Sequence, residues 1–204
     1  MLEATTRTVP DSSRRFSLYA GAWLAFGAAL AFGGALRAIP QAGPAFVLAS
    51  AVAWSIAYVR SDDVRRWAGA LPMRALVAFH AIRLPIGALF LWEASHGRVP
   101  QLFADRAGWG DMAAGAAAIA VAIAGWQRPR VVRAFAIFGL ADILVALGTA
   151  MYLLFVVNDP LTFEAITRLP YPLLPLAVVP VVVVTHLLMI VTGGAAYATR
   201  PAAR

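Results

Sequence analysis

The 204-residue sequence has no cysteine, and all 17 of its basic residues are arginine, so lysine is missing as well. Without cysteine there is no disulfide framework, no thiolate nucleophile and no Cys-ligated zinc or iron–sulfur site. Without lysine there is no Schiff-base amine and no phosphate-loop cation. Charge is scarce too, at 13% of residues against about 25% in ordinary soluble domains. The chain carries no His-Glu-x-x-His zinc pair, Gly-x-Ser-x-Gly elbow or Glu-x-x-His di-iron pattern. It does not read as a classical enzyme.

What fills the chain instead is hydrocarbon: 61% hydrophobic residues and a mean hydropathy of +0.75. Crossing the roughly 30 Å core of a bilayer takes about 20 mainly apolar residues as a helix. Six stretches approach that length, at 17–36, 42–59, 74–92, 111–126, 134–157 and 172–196. The second and fourth are short and call for local thinning of the bilayer or a segment that dips into it. The expected fold is an all-α integral membrane protein. One six-helix bundle over 16–199 lies between tails at 1–15 and 200–204.

A net charge of +7 would suit a nucleic-acid binder, but the arginines are scattered between apolar runs rather than gathered on one face, so no nucleic-acid partner is expected. They read as an orientation signal. With six spans, one side holds Arg7, Arg14, Arg15, Arg60, Arg65, Arg66, Arg74, Arg128, Arg130, Arg133, Arg200 and Arg204, and the other only Arg37, Arg98, Arg106 and Arg168. Positive residues resist translocation, which puts both termini in the cytoplasm and the chain in a bacterial inner membrane. Ser13-Arg14-Arg15-Phe16 has the look of a twin-arginine export start, but the apolar stretch behind it is too long, and the pair reads as a cytoplasmic anchor.

Short surface helices are expected between the spans. Ser61-Asp62-Asp63 opens one that sets Val64, Trp67, Ala68 and Leu71 on one face, with Trp67 at headgroup level and Arg65 and Arg66 toward lipid. Asp159-Pro160 caps another. A third runs from Val99-Pro100 to a stop at Gly108. Small residues line one face of the first span (Gly21, Ala25, Ala29, Gly33) and fill the fourth (Ala113 to Ala118). Such faces allow close helix approach, read here first as packing within the monomer and second as a seam for a homodimer or a larger membrane complex.

An ionisable side chain at membrane depth costs about 2.5–3.5 kcal/mol on insertion scales and therefore needs a partner or a purpose. Four qualify: His80 and Arg83 in the third span, Asp142 in the fifth and His186 in the sixth. Counting from Arg74 and Arg133, Arg83 and Asp142 each lie nine residues in, roughly 13 Å, and His80 about 9 Å. His186 falls at a level comparable with His80. Two adjacent layers are thus predicted, an Arg83–Asp142 pair and a His80/His186 pair. The pair reads as a fixing salt bridge or as a gate or proton relay; the histidines read as neutral rings bonded to a group such as Thr185, as proton or solute contacts, or as ligands of a b-type heme or a metal. Pro85, Pro175 and Pro180 interrupt these same spans. Asp111 reads as a helix cap at the outer surface or, with Asp105 and Glu93, as an acidic outer mouth. The expected activity is proton- or ion-linked movement of a small solute, with heme or metal electron transfer and a non-catalytic accessory or assembly role as the alternatives.

Overall fold

The computed structural model describes residues 11–195, and among them the chain forms helices and turns with no strand. Arg7, Arg200, Arg204 and the last residue assigned to the sixth span lie outside the described residues. Six helices are long and apolar enough to cross a membrane: α1 (Asp11–Phe32), α3 (Ala42–Arg60), α5 (Met73–Ser95), α6 (Gln101–Gly125), α7 (Pro129–Val157) and α9 (Leu174–Thr192). Three short ones stand between them: α2 (Ala35–Ala38), α4 (Asp62–Ala70) and α8 (Pro160–Thr167).

Several span boundaries differ from the sequence reading, the fifth span beginning at Pro129 rather than at 134 and the third running on to Ser95. The first helix ends at Phe32 rather than at 36, because Gly33 and Gly34 turn the chain and Gly34 takes φ 75°, which glycine alone adopts without a steric cost. The fourth begins at Gln101, ten residues before Asp111. The Pro100 carbonyl accepts the first amide bonds, from Phe103 and Ala104 at 3.1 Å each, and a π-helical turn over Ala104–Gly108 carries the helix onward. Gly108 is therefore no helix end; it lies at the crossing with Gly87 and Leu91 of α5. Asp105, Arg106 and Asp111 had broken the apolar run and hidden the first turns of this helix.

The short helices form as their caps dictate. Ser61 Oγ accepts the Val64 amide at 3.3 Å and starts α4, which buries Val64 and Ala68 and stacks Trp67 on Trp54 at 5.7 Å. Arg65 does not extend toward lipid; it donates to the Tyr58 and Val59 carbonyls and pairs with Asp62, while Arg66 pairs with Asp63. Asp159 accepts both the amide and the hydroxyl of Thr162 and starts α8.

The small residues of α6 and α1 meet different fates. Ala114, Gly115 and Ala118 of α6 are buried against α5 and α7. The Gly21, Ala25, Ala29, Gly33 face of α1 is exposed instead, which corrects the expectation that it packs within the monomer. α1 docks by another edge: Trp23 Nε1 donates to Ser50 Oγ of α3 at 3.0 Å, and Gly27 lies against α9 where a methyl would fall on the Leu176 carbonyl. That carbonyl is the one that Pro180 leaves without its helical donor.

The two ends of the bundle are filled differently. Toward the α4 end, Val77, Ala118, Ala122, Val132, Phe135 and Met189 form a closed apolar plug. Toward the α8 end, α5, α7, α8, α9 and the start of α3 surround a cavity of about 160 Å³.

Candidate functional site

The site is built around a distortion in α5. A proline in a helix removes a donor and crowds the carbonyl four residues back, and ahead of Pro85 the helix tightens to a 3-10 turn over His80–Ile82. His80 and Arg83 sit three apart on the same inward face and are buried, at 0% and 2% exposure.

Arg83 is held by three acceptors on two other helices. Its Nε donates to Asp111 Oδ1 at 2.7 Å, its Nη1 to the Gly139 carbonyl at 3.1 Å, and its Nη2 to Asp142 Oδ2. The planar guanidinium fork suits such divergent bonding in a way an ammonium would not. One side chain thereby ties α5 to α6 and α7. Two glycines make the approach feasible: a methyl at Gly110 would fall on Asp142 Oδ1, and one at Gly139 would fall on His186 Nε2. The Arg83–Asp142 juxtaposition matches the equal depths counted along the sequence. Asp111 does not match its reading as a surface cap or outer-mouth acid. Because α6 starts at Gln101, Asp111 lies ten residues inside it, at mid-depth, against Arg83.

The histidines form the second layer, toward the plug. Their ring centroids are 4.0 Å apart at 70°, and the Phe135 ring lies 5.7 Å from His80 and 5.8 Å from His186. His186 Nδ1 donates to the Val182 carbonyl at 2.6 Å. His80 Nε2 is 3.1 Å from Thr185 Oγ1, whose hydroxyl donates to the Val181 carbonyl at 2.7 Å. This pattern is met by two neutral rings and leaves His80 Nδ1 and His186 Nε2 buried without a partner.

Rings in mutual contact do not fit the heme alternative. A macrocycle coordinated on both faces needs its two imidazoles on opposite sides of its plane, and centroids 4.0 Å apart leave no room for that plane. Among the described residues there is no group of three or more His, Cys, Asp or Glu that could hold a metal ion.

The other acids of the expected outer mouth are placed elsewhere. Glu93 is clamped, accepting from Arg98 Nε at 2.8 Å and Nη2 at 3.0 Å and from Arg168 Nη2 at 2.9 Å. It ties the end of α5 to the α5–α6 and α8–α9 loops and is no free cation attractor. The carboxylate holds the Arg98 guanidinium above its ordinary range, while burial, with Glu93 beside it, pushes the neighbouring Tyr171 hydroxyl up. Asp105 is exposed and accepts from Gln101 Nε2 at 2.7 Å. Neither acid reaches the Arg83 centre.

The cavity joins these parts. Its walls are mostly apolar, with Phe90, Ile143, Ala146, Leu147 and Val179 among them, and among the described residues the charged side chains on its lining are Arg83 and Asp111, at its inner end. Asp111 keeps 14% of its side-chain exposure, whereas Arg83 keeps 3%. The residue that sequence reasoning misplaced is thus the acid that faces the cavity. A signal was present: Gly108, Asp111 and Gly115 are spaced i, i+3, i+7 and share a face once the helix is extended upstream.

No curated protein and no solved structure matches this chain. A family model does match, over residues 39–192, from just before α3 to the end of α9 and so across every residue of the Arg83 and histidine layers. The chain belongs to the family described as a domain of unknown function, DUF8737.

Proposed function

We propose that this chain is an integral membrane protein, with both termini on the cytoplasmic side, that moves a small solute in linkage with protons. Six helices of spanning length support the insertion. The arginine bias supports the orientation, because Arg60, Arg74, Arg128 and Arg133 mark the α4 end, while Arg98 and Arg168 at the other end are both paired with Glu93.

The observation that carries the transport reading is a cavity that ends at mid-depth on a buried arginine flanked by two carboxylates. Two acids and one guanidinium leave a negative charge in excess, and a buried net charge is costly unless something neutralises it. A proton does so, and the two bare imidazole nitrogens next to Arg83 provide acceptors for its passage toward the plug. The apolar plug then serves as the closed gate of a state open toward the α8 end.

Purified protein in liposomes containing a pH-sensitive dye tests this. Wild type collapses an imposed pH gradient when a panel of small organic solutes, neutral and charged, is supplied, and Asp142→Asn does not. No proton or solute movement by the wild type under any gradient overturns the reading.

A second reading, an accessory subunit, has one observation in its favour: the unused small-residue face of α1. It predicts that the chain, extracted gently, elutes with a partner or a second copy, and that Ala25→Leu releases it.

A further inference from the structure

We infer that the cavity takes a small organic cation, a single ammonium charge on a flat apolar body about the size of a benzene ring. The inference rests on the transport reading of the same site and adds the class of solute. Three features of the cavity select this class. A volume of about 160 Å³ is close to that of protein cavities, about 150 Å³, that hold benzene. Its walls are mostly apolar, with Phe90, Ile143, Ala146 and Val179 offering an aliphatic or aromatic body contact, while Thr162 and Tyr171 add two hydroxyls, the first already donated to Asp159. Its inner end presents Asp111, the more exposed member of a trio whose formal charge is −1. An anion would meet that excess charge directly, and the charge of Arg83 is already outweighed by the two carboxylates that its Nε and Nη2 bond. A neutral body would fill the volume, leave the charge to the proton and draw no binding from it. Only a cation matches both the walls and the end.

The same balance makes the proton and the cation alternatives. The titratable groups facing Asp111 are Arg83 from α5 and Asp142 from α7; His186 of α9 and His80 stand beyond Arg83, and α3 and α8 contribute Gly43, Pro44 and Thr162 to the walls without charge. When the cation enters, its charge replaces the proton shared by the two carboxylates, and that proton leaves to solvent. The cycle is an exchange of one proton for one monovalent cation.

Binding of three isosteric probes to the full chain in detergent tests this without any variant: benzylammonium, benzyl alcohol and benzoate, followed by calorimetry at about pH 7. Benzylammonium binds about tenfold or more tightly than either of the others. Benzyltrimethylammonium, whose charge is permanent, binds more weakly as the pH falls and releases protons on binding in weak buffer. Asp111→Asn brings benzylammonium down to the affinity of benzyl alcohol, and Ala146→Phe, which fills the cavity, abolishes both. Equal or tighter binding of the alcohol or of benzoate overturns the inference, as does benzyltrimethylammonium binding with no proton release. The failures separate cleanly. Cation binding without flux in liposomes leaves the cavity's ligand class standing and removes transport, whereas proton-linked flux of solutes with no cation preference removes the ligand class and leaves transport.

Discussion

The two halves of the bundle are built from the same apolar alphabet and do opposite things with it. Toward the α4 end, α5, α6, α7 and α9 meet around the buried side chains of Val77, Ala118, Phe135 and Met189. Toward the α8 end, the π-helical turns over Leu153–Val157 and Leu174–Val178 re-aim Leu154, Phe155, Leu174 and Val178 around a void. Arg83 stands at the boundary. The difference teaches that composition does not separate a seal from a chamber, and neither does helix regularity, because a π-helical turn stands at both ends, over Val121–Gly125 beside Ala122 of the plug and over Leu153–Val157 and Leu174–Val178 of the chamber; the packing of the side chains decides.

Mutations can break this contrast in a graded way. The largest effect belongs to the boundary. Arg83→Ala leaves Asp111 and Asp142 buried without their shared cation, and stability in mixed micelles falls by about 3–5 kcal/mol, read from reversible unfolding. An unfolding curve identical to that of wild type would mean the trio holds nothing together. Next is the plug, where Phe135→Ala removes a ring packed on both histidines. It costs about 3 kcal/mol or more and, under the proton-linked reading, makes liposomes leaky to protons without added solute. Within the chamber the same kind of change is mild: Ala146→Phe grows into existing space and shifts stability by less than about 1.5 kcal/mol, while a Phe at buried Ala118 of the plug costs about 1–3 kcal/mol. The smallest effect is on the face of α1, where Gly21→Leu meets nothing within 4 Å and stays within about 0.5 kcal/mol for the monomer.

Much of the site was legible because depth along a helix is a matter of counting. Arg83 with Asp142, and His80 with His186, meet at the levels that 1.5 Å per residue assigns them. Thr185, named from the sequence as an example of a group to which a neutral histidine bonds, stands 3.1 Å from His80. Asp111 was not legible, and the reason is instructive. Hydropathy finds helices by their contact with lipid, and the first turns of α6 carry Asp105, Arg106 and Asp111 because they face a loop clamp and an arginine instead. Glu93 was misread for a related reason, since its partners Arg98 and Arg168 come from loops whose positions nothing local specifies.

The sequence by itself determined that the chain is helical, that six of its helices have spanning length, where the caps of α4 and α8 fall, and at what relative depth His80, Arg83, Asp142 and His186 sit. These follow from local periodicity, capping chemistry and rise per residue, which need no knowledge of neighbours. Only the tertiary structure decided which helices touch: that α6 rather than α1 uses its small residues for internal packing, that Arg83 answers two carboxylates instead of one, and that the space beyond it is hollow. Contact between helices depends on azimuth and on the few ångströms that Gly110 and Gly139 concede, and those quantities have no one-dimensional signature.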